Sequence, residues 1–336
     1  MDYSQILSKQ FNIKEEYAKN IITLLDDGNT IPFIARYRKE MHGSMDDQLI
    51  REFAEKLEYL RGLDKRRDEI RSLIDAQEKL TDEINLALDK AATLSELEDI
   101  YRPYRPKRKT RASIAKEKGL APLANDILKQ EKGFDPSKSA VDYIDEEKGV
   151  TSVEDAIQGA MDIIAELVSD NAEIRKRIRN LTNANGVLVS VATDEEKDSV
   201  YKNYYDYKEP VKKIAGHRVL AVKRGEKEGF LKVSVETDSE KPLNSIFRAM
   251  ITDKNQLCSD IIREACTDAY QRLIYPSIER EVRNDLTDTA AENAMKVFAV
   301  NLKQLLMQPP VKGNTVLALD PGYRTGCKTA VVDSTG

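Results

Sequence analysis

Hydrophobic residues recur at helical spacing through most of the first 185 residues. Asn12 followed by Glu15 is a capping-box pattern that predicts a first short helix, ended by a turn at 26–29. Ser44 with Asp47 opens a much longer amphipathic helix, which we predict to reach about residue 77. Further helix starts are predicted at Thr81, Thr93, Pro122 and Ser152.

The pattern changes to alternation after Asn185 and Gly186, which are a turn signal. Valines alternate with other residues along 187–191 and predict a strand. Two more alternating apolar runs, at 219–222 and 230–235, are separated by a charged stretch with two glycines. These two runs predict a hairpin or a small sheet.

Helical periodicity resumes near Gln256 and continues to the prolines at 309 and 310. Because proline cannot donate a backbone hydrogen bond, we expect a kink or a restart of this helix at Pro276. Apolar runs at 316–319 and 329–332 then predict a final hairpin whose first strand is buried.

These elements predict a mainly α protein in three parts. Residues 1–185 form a multi-helix N-terminal region, and residues 186–310 form a central region with a small β-hairpin insertion and long helices. Residues 314–336 form the last hairpin. Because a lone two-stranded hairpin is marginally stable, we expect it to be the start of a further domain that this sequence does not complete.

Composition narrows the classes of function. With 336 residues, 40% of them hydrophobic, the chain can bury more than one core. Its apolar runs are far shorter than the roughly 20 residues that a membrane span needs, and its first residues lack a targeting pattern, so we expect a cytoplasmic protein with no membrane partner. Three cysteines and two histidines at unrelated spacings predict no metal site, and no motif indicates a cofactor.

The formal charge of −5 hides a basic segment at 101–118, which holds eight basic residues and one acid. Two prolines keep it from forming a helix, so we predict an extended loop whose guanidinium groups face phosphates and whose tyrosines stack on bases. The alternative is that the tyrosines pack against helices and the arginines pair with surrounding acids. The predicted nucleic-acid-binding residues here are Tyr101, Arg102, Tyr104, Arg105, Lys107, Arg108, Lys109 and Arg111.

A second basic patch lies at 30–40, where an apolar start precedes a cationic end. We expect Phe33 and Ile34 to pack in a core, and Arg36, Arg38 and Lys39 to bind phosphate or to form internal salt bridges. The two histidines, His42 and His217, lack a nucleophile or ligand partner in sequence, and we interpret both as structural.

Asp320 is the one candidate catalytic residue. It follows a predicted buried strand, the position where open α/β sheets place reactive groups, and Gly322 and Gly326 would let the backbone approach a phosphate. A carboxylate there suits a nuclease that holds divalent metal ions. One carboxylate does not complete such a site, since Asp333 is interpreted as a hairpin-end residue, so we expect this chain alone to be inactive.

Five motifs in order resemble the Tex family of bacterial transcription accessory proteins, which are related to a eukaryotic transcription elongation factor. They are IPFIARYRKE at 31–40, LEDIYRPYRPK at 97–107, HRVLAVKRGE at 217–226, YPSIERE at 275–281 and LDPGYRTGC at 319–327. The resemblance implies a helical N-terminal region followed from near Asn314 by the first strands of an RNase H-like α/β domain of the YqgF type. Asp320 matches the first acidic position of that fold, which in the family is often treated as non-catalytic. Helix-hairpin-helix elements and an OB-fold RNA-binding domain would normally follow.

The basic segments and the resemblance together predict a binding protein: a non-catalytic scaffold that contacts RNA or DNA and the transcription machinery, with RNA polymerase or ribosome-associated proteins as partners. The first alternative is a nuclease or junction resolvase that acts through the RNase H-like domain. The second is a scaffold that binds only proteins.

Overall fold

A computed structural model describes residues 2–106, 108–252, 254–309, 313–323 and 326–335. It divides into two compact units, of which the first comprises Met1–Leu181 with Ser239–Ile278 and the second comprises Thr182–Asp238 with Glu279–Gly336. The predicted mainly α fold is confirmed. Among the described helices, none has both the length and the apolar character needed to cross a bilayer.

The first unit begins with seven helices arranged along its longest one, α5. They are α1 (Tyr3–Phe11), α2 (Glu15–Asp26), α3 (Ile31–Tyr37), α4 (Lys39–His42), α5 (Asp47–Asp75), α6 (Asp82–Lys90) and α7 (Leu94–Tyr101). The predicted long helix is confirmed, with Asp46 as its N-cap. The helix α1 was not predicted, and Asn12 is its left-handed C-cap rather than the N-cap of the next helix.

Two apolar cores follow one another along α5. Its N-terminal part, through Phe53 and Leu60, packs with Leu7 and Ile34 from the preceding helices. Its C-terminal part packs with side chains of the two following helices in a second cluster. That cluster contains Leu63, Ile70, Ile74, Leu88, Ala91, Leu97 and Tyr101. Each core uses the apolar stripe that repeats at helical spacing, which is why the sequence pattern predicts this helix well.

The rest of the first unit is centred on α11 (Val153–Asp170). The elements that contact it are α8 (Arg111–Glu117), α9 (Ala121–Lys129), α10 (Pro136–Ala140), α15 (Gln256–Asp268) and a π-helical turn (Ala269–Ile274). The helix α14 (Glu240–Met250) packs on α15, and α12 (Ala172–Asn185) follows α11 along the chain, with its last four residues in the second unit. The side-chain amide of Gln130 donates to the Met250 carbonyl and accepts from the Thr252 amide, both at 2.9 Å. Residues 239–278 therefore complete the core of the N-terminal helices, and the compact units do not follow the predicted ranges.

The second unit holds a three-stranded antiparallel sheet in the order β2–β1–β3. The strands are β1 (Val187–Ala192), β2 (Asp206–Pro210) and β3 (Leu231–Glu236), and α13 (Gly216–Lys227) precedes the last of them. The small β element is confirmed, but the predicted strand at 219–222 is wrong because those residues lie in α13. Val219, Val222 and Gly225 are buried at three-residue spacing, and Gly225 lets the helix approach Leu231 of β3.

The last helix, α16 (Tyr275–Leu306), begins immediately after the π-helical turn. The restart predicted at Pro276 is confirmed. Proline has no backbone N–H to continue the hydrogen bonds of an α-helix, and the wider π-helical turn lies immediately before it. The helix ends before Pro309, and Pro310 lies outside the described residues. Strands β4 (Val316–Pro321) and β5 (Cys327–Val332) form the predicted antiparallel hairpin. The expected burial of β4 is wrong, since all six of its residues are exposed.

Candidate nucleic-acid interface

The basic segment starts inside the core rather than on a loop. Tyr101 is the last residue of α7, is only 7% exposed and belongs to the cluster along the second half of α5. The guanidinium groups of Arg66 and Arg105 lie 5.7 and 5.6 Å from its ring centroid. Tyr101 therefore packs in the core and is not available to stack on a base. For this tyrosine, the alternative interpretation of the sequence, in which it packs against helices, is the correct one.

The segment continues as a 3-10 helix at Arg102–Tyr104, so the predicted extended loop is wrong at these residues. Pro103 fits here because its fixed φ suits the first turn of a helix, where its missing donor is not needed. Tyr104 is half-buried against the same core, and its carbonyl accepts from the Gln77 side chain at 2.9 Å. Extended backbone begins only at Arg105.

Arg102 belongs to a largely buried cluster of guanidinium and carboxylate groups. Its Nε lies 3.4 Å from Asp170 Oδ1, and burial together with the nearby charge of Arg175 lowers the pKa of its guanidinium. Asp99 binds Arg175 through one carboxylate oxygen and Arg179 through the other, each at 2.6 Å. Arg102 is therefore a positioning residue that fixes the end of α7.

Sequence reasoning missed Asp99, Arg175 and Arg179. The available signal was the four-residue spacing of the two arginines on α12, which places both on one helical face. Their shared partner lies on α7, and no sequence pattern reveals a pairing over that separation.

Three further cations of the segment have close partners. Arg105 forms an ion pair with Glu98, and Lys116 lies 3.2 Å from Glu166. The ammonium group of Lys118 donates to the Gly149 carbonyl at 2.6 Å. The charges of Arg105 and Lys116 are therefore partly compensated within the first unit, and the ammonium group of Lys118 is held by a carbonyl.

Arg108, Lys109 and Arg111 remain as an exposed cationic stretch. The nearest acid to Lys109 is Glu117, at 3.8 Å on an open surface. Within the described part of the chain, neither arginine has a carboxylate within ion-pair distance. Lys107, also predicted to bind, lies outside the described residues.

The capping box of α8 anchors this cationic stretch. Thr110 accepts from the Ser113 amide, and the Ser113 hydroxyl accepts from the Thr110 amide, at 3.0 and 2.8 Å. The Thr110 hydroxyl also donates to Glu166 on α11 at 3.0 Å. The first turn of α8 therefore holds Arg111 at the surface, next to Arg108 and Lys109 in sequence.

The second basic patch forms α3 and α4. Ile34 is fully buried as predicted, whereas Phe33 is only half-buried, so its predicted core position is not observed. Arg36 and Lys39 are exposed, and Arg38 lies over the Phe33 ring at 5.0 Å. This patch packs on the first half of α5 and the basic segment on the second half, so the two are not joined into one cluster.

The remaining candidates do not form a catalytic constellation. His42 is buried, and its Nε2 donates to the Ile34 carbonyl at 3.1 Å. His217 is exposed, as is Asp320 in β4, where Lys328 faces it across the hairpin at 4.0 Å. The described residues contain no group of three His, Cys, Asp or Glu side chains placed to hold a metal ion.

Comparison with known proteins identifies the family. Residues 1–75 match a family model described as Tex-like protein N-terminal domain. Residues 131–298, which are half of the chain, match one described as Tex central region-like. The chain belongs to the Tex family. The resemblance carried by its five motifs is thereby confirmed.

Relatives of this Tex chain occur in bacteria and in animals. It is 45% identical over 335 residues to Uncharacterized protein YdcI of Bacillus subtilis, covering 99% of the chain and 47% of that protein. It is 38% identical over 347 residues to Transcriptional accessory protein Tex of Neisseria gonorrhoeae, an alignment that covers 100% of the chain and 45% of that protein. It is 32% identical over 352 residues to human S1 RNA-binding domain-containing protein 1, covering 99% of the chain and 35% of that protein. The chain therefore spans about half the length of the bacterial relatives it matches.

Proposed function

We propose that this Tex chain binds RNA or DNA through the exposed cationic stretch Arg108, Lys109 and Arg111, and acts as a non-catalytic scaffold in transcription. The observation that carries this proposal is an exposed cationic surface, on a chain of net charge −5, whose two arginines have no carboxylate at ion-pair distance among the described residues. The names of two relatives support it, since one is a transcriptional accessory protein and the other is named for an S1 RNA-binding domain.

Charge explains how such a surface would act. Phosphate groups attract exposed guanidinium and ammonium groups regardless of base sequence, and binding releases the counterions that surround the polyanion. Exposed arginines also offer forked donors that match phosphate oxygens. Binding should therefore weaken steeply with added salt and show little sequence preference.

The test replaces all three residues, Arg108→Ala, Lys109→Ala and Arg111→Ala, and measures the affinity for a labelled single-stranded oligonucleotide from low to physiological salt. The slope of log affinity against log salt is negative, and losing three phosphate contacts should make it less steep by about 2. The matched control is Lys129→Ala, Lys138→Ala and Lys148→Ala, which removes the same charge from lysines that each pair with a carboxylate three residues earlier. Equal effects of the two variants, or an unchanged slope in the first, would overturn this interface.

We also propose that β4 and β5 are the first hairpin of an RNase H-like domain of the YqgF type, and that Asp320 has a structural role there. Leu317, Leu319 and Val331 expose apolar side chains on this hairpin, as strands of an open sheet do before a further layer covers them. The cationic Lys328 opposite Asp320 supports a charge-pairing role.

The test is Asp320→Asn in the full-length protein, assayed with Mg²⁺ for cleavage of branched and hybrid nucleic-acid substrates. We expect the substituted and unsubstituted proteins to give the same result in this assay. Metal-dependent cleavage that this substitution abolishes would favour the nuclease instead.

The protein partners form the last part of the proposal. RNA polymerase and ribosome-associated proteins fit an accessory role, in a cytoplasmic location. A pull-down with the whole protein should lose most of its partners after nuclease treatment if nucleic acid bridges them. Partners that persist would favour a scaffold that binds proteins directly.

A further inference from the structure

An aromatic pair lies on the surface of the second basic patch. Tyr37 is 63% exposed at the end of α3, and Phe33 one turn earlier is half-buried. Their ring centroids are 5.4 Å apart, with the rings inclined at 45°. Residues 33 and 37 share one face of the helix, while Ile34 faces the core. Phe33 thus supports one side of the tyrosine ring and leaves the rest of it open to solvent.

The surrounding contacts hold this pair in place. Arg38 lies over the Phe33 ring at 5.0 Å and donates to the Tyr37 carbonyl at 3.1 Å. Behind it, buried His42 donates to the Ile34 carbonyl, and the Asn20 side chain donates to the Met41 carbonyl at 3.0 Å. The helix that carries both rings is therefore tied to its neighbours, so its aromatic surface is preorganised.

Two exposed cations lie within two residues of Tyr37 in sequence. They are Arg36 and Lys39, and for neither does the described part of the chain supply a carboxylate at ion-pair distance. A large exposed aromatic ring and cations on the same short segment provide the two groups that a nucleotide needs, a flat surface for the base and positive charge for the phosphate. A base within a duplex cannot reach such a ring, whereas an unpaired base can.

We propose that Tyr37, supported by Phe33, is a base-stacking platform for single-stranded nucleic acid, with Arg36 and Lys39 binding the flanking phosphates. This inference rests on the proposed function and adds to it the class of ligand, a single strand with unpaired bases. It also assigns a role to aromatic residues that charge alone does not identify. The site is separate from Arg108, Lys109 and Arg111, so the two can be tested independently.

The chain contains no tryptophan, which allows a direct test. Tyr37→Trp places a single indole on the platform, and a base stacked on it should quench the indole emission. The matched control is Tyr59→Trp on α5, a tyrosine that is 44% exposed and has the Lys56 ammonium 4.6 Å from its ring centroid. The probes are a single-stranded oligothymidylate and an abasic oligomer of the same length and charge.

The expected result is that the oligothymidylate quenches the indole of the Tyr37→Trp variant, that the abasic oligomer does not, and that the indole of the Tyr59→Trp variant keeps its emission with both. Binding of both oligomers without quenching at position 37, or with equal quenching at both positions, would overturn the stacking platform and leave the proposed function intact. Binding of neither oligomer by the unsubstituted protein would overturn the proposed function as well.

Substitutions at the same residue give a second measurement. Tyr37→Ala should weaken binding of the oligothymidylate by roughly 5- to 100-fold and leave binding of the abasic oligomer unchanged. Tyr37→Phe should keep the affinity, because stacking needs the ring and not the hydroxyl. An equal loss for both oligomers in the alanine variant would contradict stacking.

Discussion

Asp99 pairs with the buried guanidinium group of Arg175 and the largely buried one of Arg179. Asp99→Asn would remove the negative charge that these two cations share, and removing one partner of a buried ion pair typically costs about 3–5 kcal/mol. The free energy of unfolding, measured in urea, should fall by that amount. Glu96→Gln is the control, since Glu96 pairs at 2.7 Å with Lys176, whose side chain is 50% exposed, and such surface pairs contribute about 1 kcal/mol or less. Similar losses in both variants would contradict the role of the buried cluster.

The three thiols should differ in reactivity. Burial raises the pKa of Cys266 to about 12 and also raises the pKa of Cys258, whereas Cys327 is exposed on the hairpin. At pH 8, iodoacetamide should therefore label one thiol of the native protein quickly, and mass spectrometry of Cys327→Ser should show none labelled. Rapid labelling of two or three thiols would contradict the burial.

The same thiols give a pH dependence of stability. The unfolded cysteines lose their protons at a pKa of about 8.5, whereas the folded Cys266 keeps its proton to about pH 12. The unfolded state therefore binds fewer protons in this window, and the contribution of the thiol to stability is complete below about pH 8 and falls as pH rises. In the unsubstituted protein, the urea midpoint of unfolding should fall between pH 8 and 11. In the Cys266→Ala variant, it should fall less over the same pH range.

Sequence reasoning located the cations of the candidate site but not their partners. The local charge of 101–118 is visible because the residues are adjacent in sequence. Arg102 pairs with Asp170 and Lys116 with Glu166, acids that lie 50 or more positions later and carry no mark of the pairing. Only folding distinguishes these cations from Arg108 and Arg111. The open side of Tyr37 was equally hidden, because sequence alone does not give exposure.

At the scale of elements, two helical glycines should respond to alanine in opposite directions. A Cβ on Gly225 of α13 would lie 2.5 Å from Leu231 Cδ1, whereas one on Gly62 of α5 would meet nothing within 4 Å. Gly225→Ala should lower the free energy of unfolding by about 1–3 kcal/mol through overpacking. Gly62→Ala should raise it by about 0.5–1 kcal/mol, because alanine loses less backbone entropy in a helix. Thermal melts of both variants would check the two signs.

The long helices were predictable because their apolar stripes repeat over many turns. Residues 219–222 were misread because four apolar or small residues in a row satisfy alternation and helical spacing equally well. Gly225, the third residue of the buried face, has no side chain and so does not extend the apolar pattern of Val219 and Val222. The helical conformation of these residues is therefore favoured by the packing of α13 on β3, a contact that the local sequence pattern does not reveal.

At the scale of the whole molecule, the first unit is discontinuous, so its N-terminal stretch should not fold well alone. A fragment of residues 1–185 lacks α15, which packs on α11, and lacks the partners of Gln130. We expect it to bind a hydrophobic dye and to unfold at lower urea concentration than the whole chain. A peptide of residues 239–278 added in trans should reverse both effects. A fragment that melts cooperatively at the midpoint of the whole chain would contradict this dependence.

The same discontinuity has a consequence during synthesis. Residues 182–238 must leave the ribosome before the segment that closes the first unit becomes available. At about 5–20 residues per second, the helices already released would wait roughly 5–20 s for residue 278. During that delay, the apolar side of α11 that α15 later covers would be exposed to solvent, and chaperones that bind exposed apolar surfaces could bind the nascent chain there.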